Sequence, residues 1–323
     1  MRLLLPGIGL VAAAAIGAGF YAYHEYRAPG PLAADKAVVV PRGGIGQIAG
    51  ALQEQGVVRH RWELQAAALA TRGAGTLKAA ELEFPAGASL LQVLAVLRTG
   101  KPVQHKLTIA EGLTAVKVTE LLAKADALDG EVSPVAEGSV LPETYIYERG
   151  TARTVLLARA TRAMDTDLDA AWATRSPDLP LSTPRDAVIL ASIVERETAK
   201  PEERKLVAAV YLNRLRRGMK LQSDPTVVYG VSNGAGVLDH GLTRAELDAD
   251  NPYNSYRNTG LPPGPICMPG RASIEAATHP ADSTDLFFVA DGTGGHSFAR
   301  TEQDHARNVQ RWRAAERARR TVP

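Results

Sequence analysis

Two glutamates near the end of one predicted helix carry the most promising chemistry in this sequence. The helix begins with Thr183 as N-cap and Pro184 at its first position, and it runs through Glu195 to Glu197 and Thr198. Side chains two residues apart on an α-helix point about 200° away from each other. We therefore expect that the two carboxylates cannot line the same wall of a cleft.

The residues below each glutamate differ in character. The face below Glu197 is the most apolar stripe of the helix, and it contains Val194, Ile193, Leu190 and Ile189. The face below Glu195 has smaller side chains. A carboxyl group against an apolar wall has its charged form disfavoured, so its pKa rises and it stays protonated as a general acid, which glycosidic cleavage needs. We predict that Glu197 is that acid and keep Glu195 as the second candidate. In the alternative interpretation, Glu197 forms an ion pair with Lys200 and neither glutamate takes part in catalysis.

Two polar segments follow this helix. Residues 221–230 form a predicted loop leading into an apolar run, and residues 251–266 are too rich in Pro and Gly for regular structure. Carbohydrate clefts use amides, carboxylates and aromatic faces for hydroxyls and ring planes. The candidate substrate-binding residues are Gln222, Ser223, Asp224, Asn254 and Tyr256. Turn chemistry would also explain each of them.

The pattern of short strands and amphipathic helices predicts an α+β fold with two domains. Strand, glycine turn and helix recur loosely three times, with turns at Gly43, Gly87 and Gly112 and with Thr114 as a predicted N-cap. We assign residues 36–130 to a small first domain, either scaffold or glycan-binding module. Residues 131–323 form the larger catalytic domain, and residues 28–35 are a linker with nothing to bury.

The amino terminus predicts a membrane anchor. Leu3–Tyr23 has no charged side chain and matches the roughly 20 residues that span a bilayer. We assign residues 1–27 to a cytoplasmic tip and a single transmembrane helix, with a cleaved signal peptide as the alternative. Weak flanking charges favour a cytoplasmic N-terminus and an extracytoplasmic, periplasmic position for the remaining chain.

Composition narrows the classes of partner and cofactor. The 37 Lys and Arg residues against 35 Asp and Glu give a net charge of +2, so no overall electrostatic case exists for nucleic acid. Cys267 is the only cysteine, which excludes an internal disulfide, and we expect it to be buried. The seven histidines are scattered without ligand spacing, and we predict no metal and no cofactor.

Several segments together resemble the YceG-like family of endolytic murein transglycosylases. They are Leu141–Tyr145, Ala191–Thr198, Leu221–Thr226, Tyr253–Tyr256, Gly260–Ile266 and Phe288–Phe298. The resemblance implies a LysM-like first domain and cleavage of the MurNAc–GlcNAc bond within nascent peptidoglycan strands, leaving 1,6-anhydro-MurNAc ends. It also implies an inner-membrane location and association with peptidoglycan synthases in cell-wall assembly.

The resemblance also bears on the choice of acid. Lytic transglycosylases carry the catalytic glutamate just before Ser or Thr, and here that pattern falls on Glu197 and Thr198. A single glutamate suffices, because the C6 hydroxyl of muramic acid is an intramolecular nucleophile. Two alternatives stay open: a hydrolytic muramidase with the same acid, and a non-catalytic membrane-anchored glycan-binding protein.

Overall fold

A computed structural model describes residues 4–320 of the chain, with side chains from 13 to 317, and its elements are a mixture of helices and short strands. The helices are α1 (Leu4–Arg27), α2 (Ile45–Glu54), α3 (Arg61–Ala70), α4 (Leu90–Thr99), α5 (Ala115–Ala123), α6 (Arg153–Ala173), α7 (Pro184–Glu197), α8 (Arg204–Arg216), α9 (Asp224–Val231), α10 (Arg244–Leu247), α11 (Arg271–Thr278) and α12 (Glu302–Arg320). The strands are β1 (Lys36–Val39), β2 (Glu81–Phe84), β3 (Gln104–Thr108), β4 (Leu128–Asp129), β5 (Thr144–Glu148), β6 (Thr151–Ala152), β7 (Phe287–Ala290) and β8 (His296–Ala299). The predicted α+β class is confirmed.

The chain divides into two compact units. Residues 1–105 and 147–150 form the first, and residues 106–146 and 151–323 form the second. The sequence placed its boundary near residue 130. The division falls earlier because the backbone N–H of Gly112 donates to Met268 O (2.9 Å) and that of Met268 donates to Leu113 O (2.8 Å). These bonds tie the third strand-turn-helix copy to residues of the second unit.

The first unit has a β-α-α-β order at its centre. Strand β1 pairs with β2 in antiparallel register, from Lys36 opposite Phe84 to Val39 opposite Glu81. Helices α2, α3 and α4 bury their apolar faces in the same core as this strand pair, and Leu52, Leu64 and Leu97 are fully buried. Helix α3 lies outside the predicted repeats, because the repeat pattern assigned no element between the first two copies.

The segment 28–35 is bound to the first unit, which corrects the prediction of a linker with nothing to bury. The N–H of Gly30 donates to Gly87 O (3.0 Å), and the N–H of Gly87 donates to Leu32 O (2.7 Å). Leu32 packs against the buried cluster of this unit. The segment is short and lacks regular structure, but its peptide groups and one leucine find partners.

Helix α7 lies at the centre of the second unit. Its eight residues from Ala187 to Val194 are all buried, so both of the faces that the sequence distinguished are packed. Helices α6, α8, α9 and α11 contact it from different sides. Its start is as predicted: Thr183 Oγ1 accepts from the N–H of Asp186, whose carboxylate accepts from the N–H of Thr183.

The structure differs from the sequence-based prediction at two helix starts. Residues 224–231 form helix α9, where a loop was expected before the apolar run, because Ser223 and Pro225 start a helix there. Thr114 stands at the N-cap of α5, but its hydroxyl makes no capping bond. The carboxylate of Glu137 accepts from the N–H of Ala115 instead, at 2.9 and 3.1 Å.

The amino-terminal helix α1 ends at Arg27, where the membrane anchor was predicted to end. Within the part of the chain that the structure describes, no helix is both long and apolar enough to span a membrane. The first residue of the predicted span, Leu3, and the side chains of residues 4–12 lie outside that part. The membrane-spanning role of α1 therefore stays a prediction.

Gly138 provides a test of packing around α7. Its φ of 72° is left-handed, and an added Cβ would lie 2.6 Å from Pro265 Cγ and 2.9 Å from Val188 Cγ1. Gly130 has a similar φ of 82° but open space around its Cβ position. In chemical denaturation, Gly130→Ala should lower the free energy of unfolding by about 1 kcal/mol. Gly138→Ala should lower the free energy of unfolding by about 1 kcal/mol or more beyond the Gly130→Ala loss, because the added methyl group overpacks the site. Equal losses for the two variants would contradict this packing.

Candidate active site

The Glu197 carboxylate is the centre of the site, at the last residue of α7. Its Oε1 accepts a hydrogen bond of 2.7 Å from the Tyr211 hydroxyl and one of 2.5 Å from the Ser223 hydroxyl. Burial raises the pKa of Glu197, and these two hydrogen bonds offset that rise only in part. The carboxyl therefore holds its proton to higher pH than an ordinary glutamate does.

Tyr211 is a site residue that was not among the candidates from the sequence. It lies fully buried on α8, where its ring packs edge-on to Phe288 at 5.8 Å between centroids. Burial and the neighbouring Glu197 raise its pKa well above the usual value, so it remains a hydroxyl donor. A buried tyrosine normally needs a partner for its hydroxyl. A tyrosine among the apolar residues of a helix is therefore the sequence signal that could have indicated a polar neighbour.

Ser223 is held in place by a turn that precedes α9. Its N–H donates to Ser255 Oγ (2.9 Å), and the Thr226 and Ser255 hydroxyls lie 2.8 Å apart. Gln222, directly before it, has a left-handed φ of 53°, which is uncommon for a residue with a side chain. The N–H of Gln222 bonds to Ser255 O (3.1 Å), so the strained turn is fixed against this second polar segment.

Asp224 and Tyr256 form a second hydrogen-bonded pair in the site. The Tyr256 hydroxyl donates to Asp224 Oδ1 at 2.6 Å. The charge of Asp224 further raises the pKa of Glu197. Burial, followed by the bond to Asp224, raises the pKa of Tyr256, which therefore stays protonated. Gln222 and Asp224 are exposed and Tyr256 is half-buried, so all three are accessible to a ligand.

Arg214 is a buried cation that the sequence did not single out. Its Nε donates to Leu286 O (2.7 Å) and its Nη1 donates to Leu221 O (2.7 Å). Nη1 also reaches Gln222 Oε1 at 3.4 Å. Periodicity would place such a residue near a polar helix end in solvent, and only the tertiary structure shows that it fixes the start of the Gln222 turn.

Asn254 is placed differently from a sugar-binding residue. It is fully buried, and its Nδ2 donates to Leu247 O (3.0 Å) and Ala249 O (2.9 Å). Its Oδ1 accepts from the N–H of Tyr256 (3.0 Å). Both ends of the amide are used inside the chain, so Asn254 positions Tyr256 instead of reaching a ligand.

Glu195 points to the other side of α7, as the helical spacing predicted. Its side chain is 5% exposed, Oε1 lies 3.3 Å from Arg204 Nη2, and Oε2 accepts from the N–H of Gly270 (2.9 Å). Glu111 also contacts Arg204, at 3.4 Å. Glu195 thus joins the starts of α8 and α11 to α7, so its role is structural.

Cys267 is buried as predicted, and it donates to Ser192 O (3.3 Å). Burial raises the pKa of its thiol well above the usual value. The thiol is therefore an inert packing group in the second unit. The arrangement around Glu197 offers one carboxyl of raised pKa, beside an exposed amide and an exposed carboxylate, and this suits acid-assisted cleavage of an ether-like bond.

The two glutamates should respond differently to removal of their charge. The raised pKa of Glu197 means that the fold favours its protonated form, so wild-type stability falls as pH rises through that pKa. Glu197→Gln keeps the acceptor oxygen without the charge. In urea unfolding, its stability relative to wild type should therefore increase from pH 4 to pH 8.

Glu195→Gln is the matched comparison. It leaves the largely buried Arg204 without its nearer counter-ion, and it should lower the free energy of unfolding by about 2 kcal/mol at pH 7. If Glu195→Gln gained stability with rising pH and Glu197→Gln lost it, the assignment of the two roles would be reversed.

Comparisons with known proteins place the chain in a family. Residues 38–311 match the model of the YceG-like family. A Streptococcus pneumoniae protein named endolytic murein transglycosylase is 36% identical over 214 residues, or 64% of this chain and 37% of that protein. A Bacillus subtilis protein of the same name is 28% identical over 232 residues, or 70% of this chain and 63% of that protein.

The fold also has a match among solved structures. A crystal structure of a YceG-like protein from Listeria monocytogenes covers 84% of this chain and 98% of its own, with a TM-score of 0.54 and 25% identity. The chain spans little more than a third of the streptococcal relative. The family match extends over most of the chain and includes all residues of the Glu197 site, and the chain accordingly belongs to the YceG-like family.

Proposed function

We propose that the chain is an endolytic lytic transglycosylase, a lyase that cleaves the MurNAc–GlcNAc bond within nascent peptidoglycan strands. The observation that carries this proposal is the half-buried Glu197 carboxyl, with its raised pKa and its two hydroxyl partners. The name of the curated relatives, endolytic murein transglycosylase, supports the same substrate.

The mechanism needs one carboxyl group acting twice. Glu197 protonates the glycosidic oxygen as the bond from C1 of muramic acid breaks, and GlcNAc leaves as an alcohol. The Glu197 carboxylate then takes the proton from the C6 hydroxyl of the same muramic acid, and O6 bonds to C1 to close the anhydro ring. The proton on Glu197 is restored, and no water is consumed.

The neighbouring side chains divide between positioning and substrate contact. Ser223 and Tyr211 hold the Glu197 carboxylate, because both donate to its Oε1. Gln222, Asp224 and Tyr256 are our proposed contacts for sugar hydroxyls or the N-acetyl group, since their polar groups are accessible beside the acid.

We further propose that the first unit is LysM-like and binds glycan. Its β-α-α-β order with an antiparallel strand pair supports this role, although individual glycan contacts are not assigned. Helix α1, preceded by a cytoplasmic N-terminus, would anchor the chain in the cell membrane and leave both units outside the cytoplasm. Peptidoglycan synthases of the elongation or division machinery are the expected protein partners.

A hydrolytic muramidase is the competing function, and Asp224 is the observation in its favour. Its charge acts on Glu197, and a second carboxylate near the acid is what a hydrolase uses to activate water or to form a glycosyl intermediate. The products separate the two reactions: a transglycosylase leaves anhydro ends, and a hydrolase leaves reducing ends.

The test is digestion of uncrosslinked glycan strands by the full chain in detergent, with mass spectrometry of the product ends. Wild type should give internal cleavage with anhydro ends. Glu197→Gln should lose activity by at least about a hundredfold, while correctly folded Glu195→Gln should retain most of it.

Other outcomes would change the conclusion. Reducing ends would establish a muramidase. Binding to the strands without shortening them, in all variants, would establish a glycan-binding protein. Loss of activity in Glu195→Gln alone would move the acid to the other side of α7.

A further inference from the structure

We propose that His296, oriented by Glu203, is a positioning residue that sets the charge balance of the Glu197 carboxyl. His296 stands at the start of β8, in the segment Phe288–Phe298 of the family resemblance, where the sequence favours a structural over a catalytic role for it. The inference rests on the proposed function, because it assigns to His296 a part in the work of the Glu197 acid.

Glu203 connects the residue after the acid to the β7–β8 hairpin. Its Oε2 accepts from the Thr198 hydroxyl (3.1 Å), and Thr198 follows Glu197 directly. Its Oε1 accepts from the backbone N–H of His296 (2.9 Å), and Oε2 lies 2.6 Å from His296 Nδ1. One buried carboxylate therefore fixes both the end of α7 and the orientation of the imidazole.

Aromatic rings form a second chain of contacts between His296 and Glu197. The His296 ring contacts Phe288 edge-on at 5.2 Å between centroids, and Phe288 contacts Tyr211 edge-on at 5.8 Å. Tyr211 donates to Glu197. With Glu203 and Thr198, these contacts form a closed circuit that starts and ends at Glu197, so His296 cannot shift without disturbing a neighbour of the acid.

The turn before His296 is shaped for this contact. A Cβ on Gly295 would lie 2.4 Å from Glu203 Oε1 and 2.5 Å from Lys200 Nζ. A side chain at this position would displace the Glu203 carboxylate or the Lys200 ammonium, whereas glycine leaves both in place. The adjacent Asp291 carboxylate accepts from the N–H groups of Thr293 and Gly295, which holds the turn from within.

The charges around the circuit act on Glu197 in opposite directions. Burial alone would raise the pKa of Glu203, but the bonds from His296 and Thr198 outweigh it and the pKa falls. The Glu203 carboxylate and the His296 ring form a close pair at 2.6 Å, which fixes the ring beside the end of α7. Positive charge on His296 lowers the pKa of Glu197, whereas Asp224 raises it.

Three other ionisable groups lie near these contacts: Arg214, Tyr256 and Lys200. Arg214 and Tyr256 interact electrostatically with Glu197 from α8 and from the segment before residue 260. Lys200 lies beside Gly295 on the hairpin side. None of them is joined to the end of α7 by a carboxylate, as His296 is by Glu203. Positive charge at this position would stabilise the Glu197 carboxylate that exists between proton donation and proton return.

The test compares the full chain in detergent with His296→Asn, whose amide nitrogen can replace Nδ1 as donor to Glu203 but carries no charge. Two quantities are measured: the pH profile of strand cleavage, and the Glu197 pKa by carbon NMR of labelled glutamate. His296→Asn should move the alkaline limb and the NMR pKa upward and reduce the rate at pH 7 about tenfold. Asp224→Asn should move both downward.

His279→Asn is the matched control. His279 also pairs with a glutamate, Glu275 at 3.2 Å, and its Nε2 bonds to Thr174 O (2.6 Å), with no contact to the Glu197 site. It should leave the limb and the NMR pKa in place. If His296→Asn does not fold, His296→Gln is measured instead, with the same expectation.

An unchanged NMR pKa of Glu197 in a folded His296 variant would overturn the inference, whatever the rate, because removing a charge that acts on the carboxyl must move its pKa. This readout does not depend on catalysis. If Glu197→Gln retained cleavage, the proposed acid would fail on its own account, and the NMR comparison would still decide whether His296 controls the carboxyl.

Discussion

Partial burial of a single carboxyl group at the end of α7 is the constraint on which the second unit depends. Glu197 follows eight buried residues of the same helix, and its Oε1 is satisfied by two hydroxyls from other parts of the chain. A buried carboxylate without such partners would be costly, and a solvated one would have no reason to hold its proton. Glu197 lies between a buried carboxylate without partners and a fully solvated one.

The two glutamates of α7 show how one helix serves two purposes. Glu195 uses both carboxylate oxygens to hold the first residues of two neighbouring helices, through Arg204 and Gly270. Glu197, on the other side, faces Ser223 and Tyr211, which hold one of its oxygens. Their 200° separation allows a rigid clamp on one side and an acid on the other, so that packing fixes the position of the reactive group without consuming it.

Several residues around the acid act by holding others in position. Arg214 fixes the backbone before Gln222, and Asn254 fixes the N–H of Tyr256. The left-handed conformation of Gln222 is maintained by its bond to Ser255. Backbone strain of this kind persists only where surrounding contacts determine it, and here those contacts bring two distant polar segments to one carboxyl.

The sequence by itself determined the local features: the capped start of α7, the opposed directions of its glutamates, the apolar stripe below Glu197 and the glycine turns that precede α2, α4 and α5. These follow from helical periodicity and turn chemistry, which act over a few residues. Only the tertiary structure decided that Asn254 is internal, that Glu137 caps α5, and that Tyr211, Arg214 and His296 surround the acid. Those roles depend on contacts between residues far apart in the chain, where the partner of a polar group is chosen by packing and not by spacing.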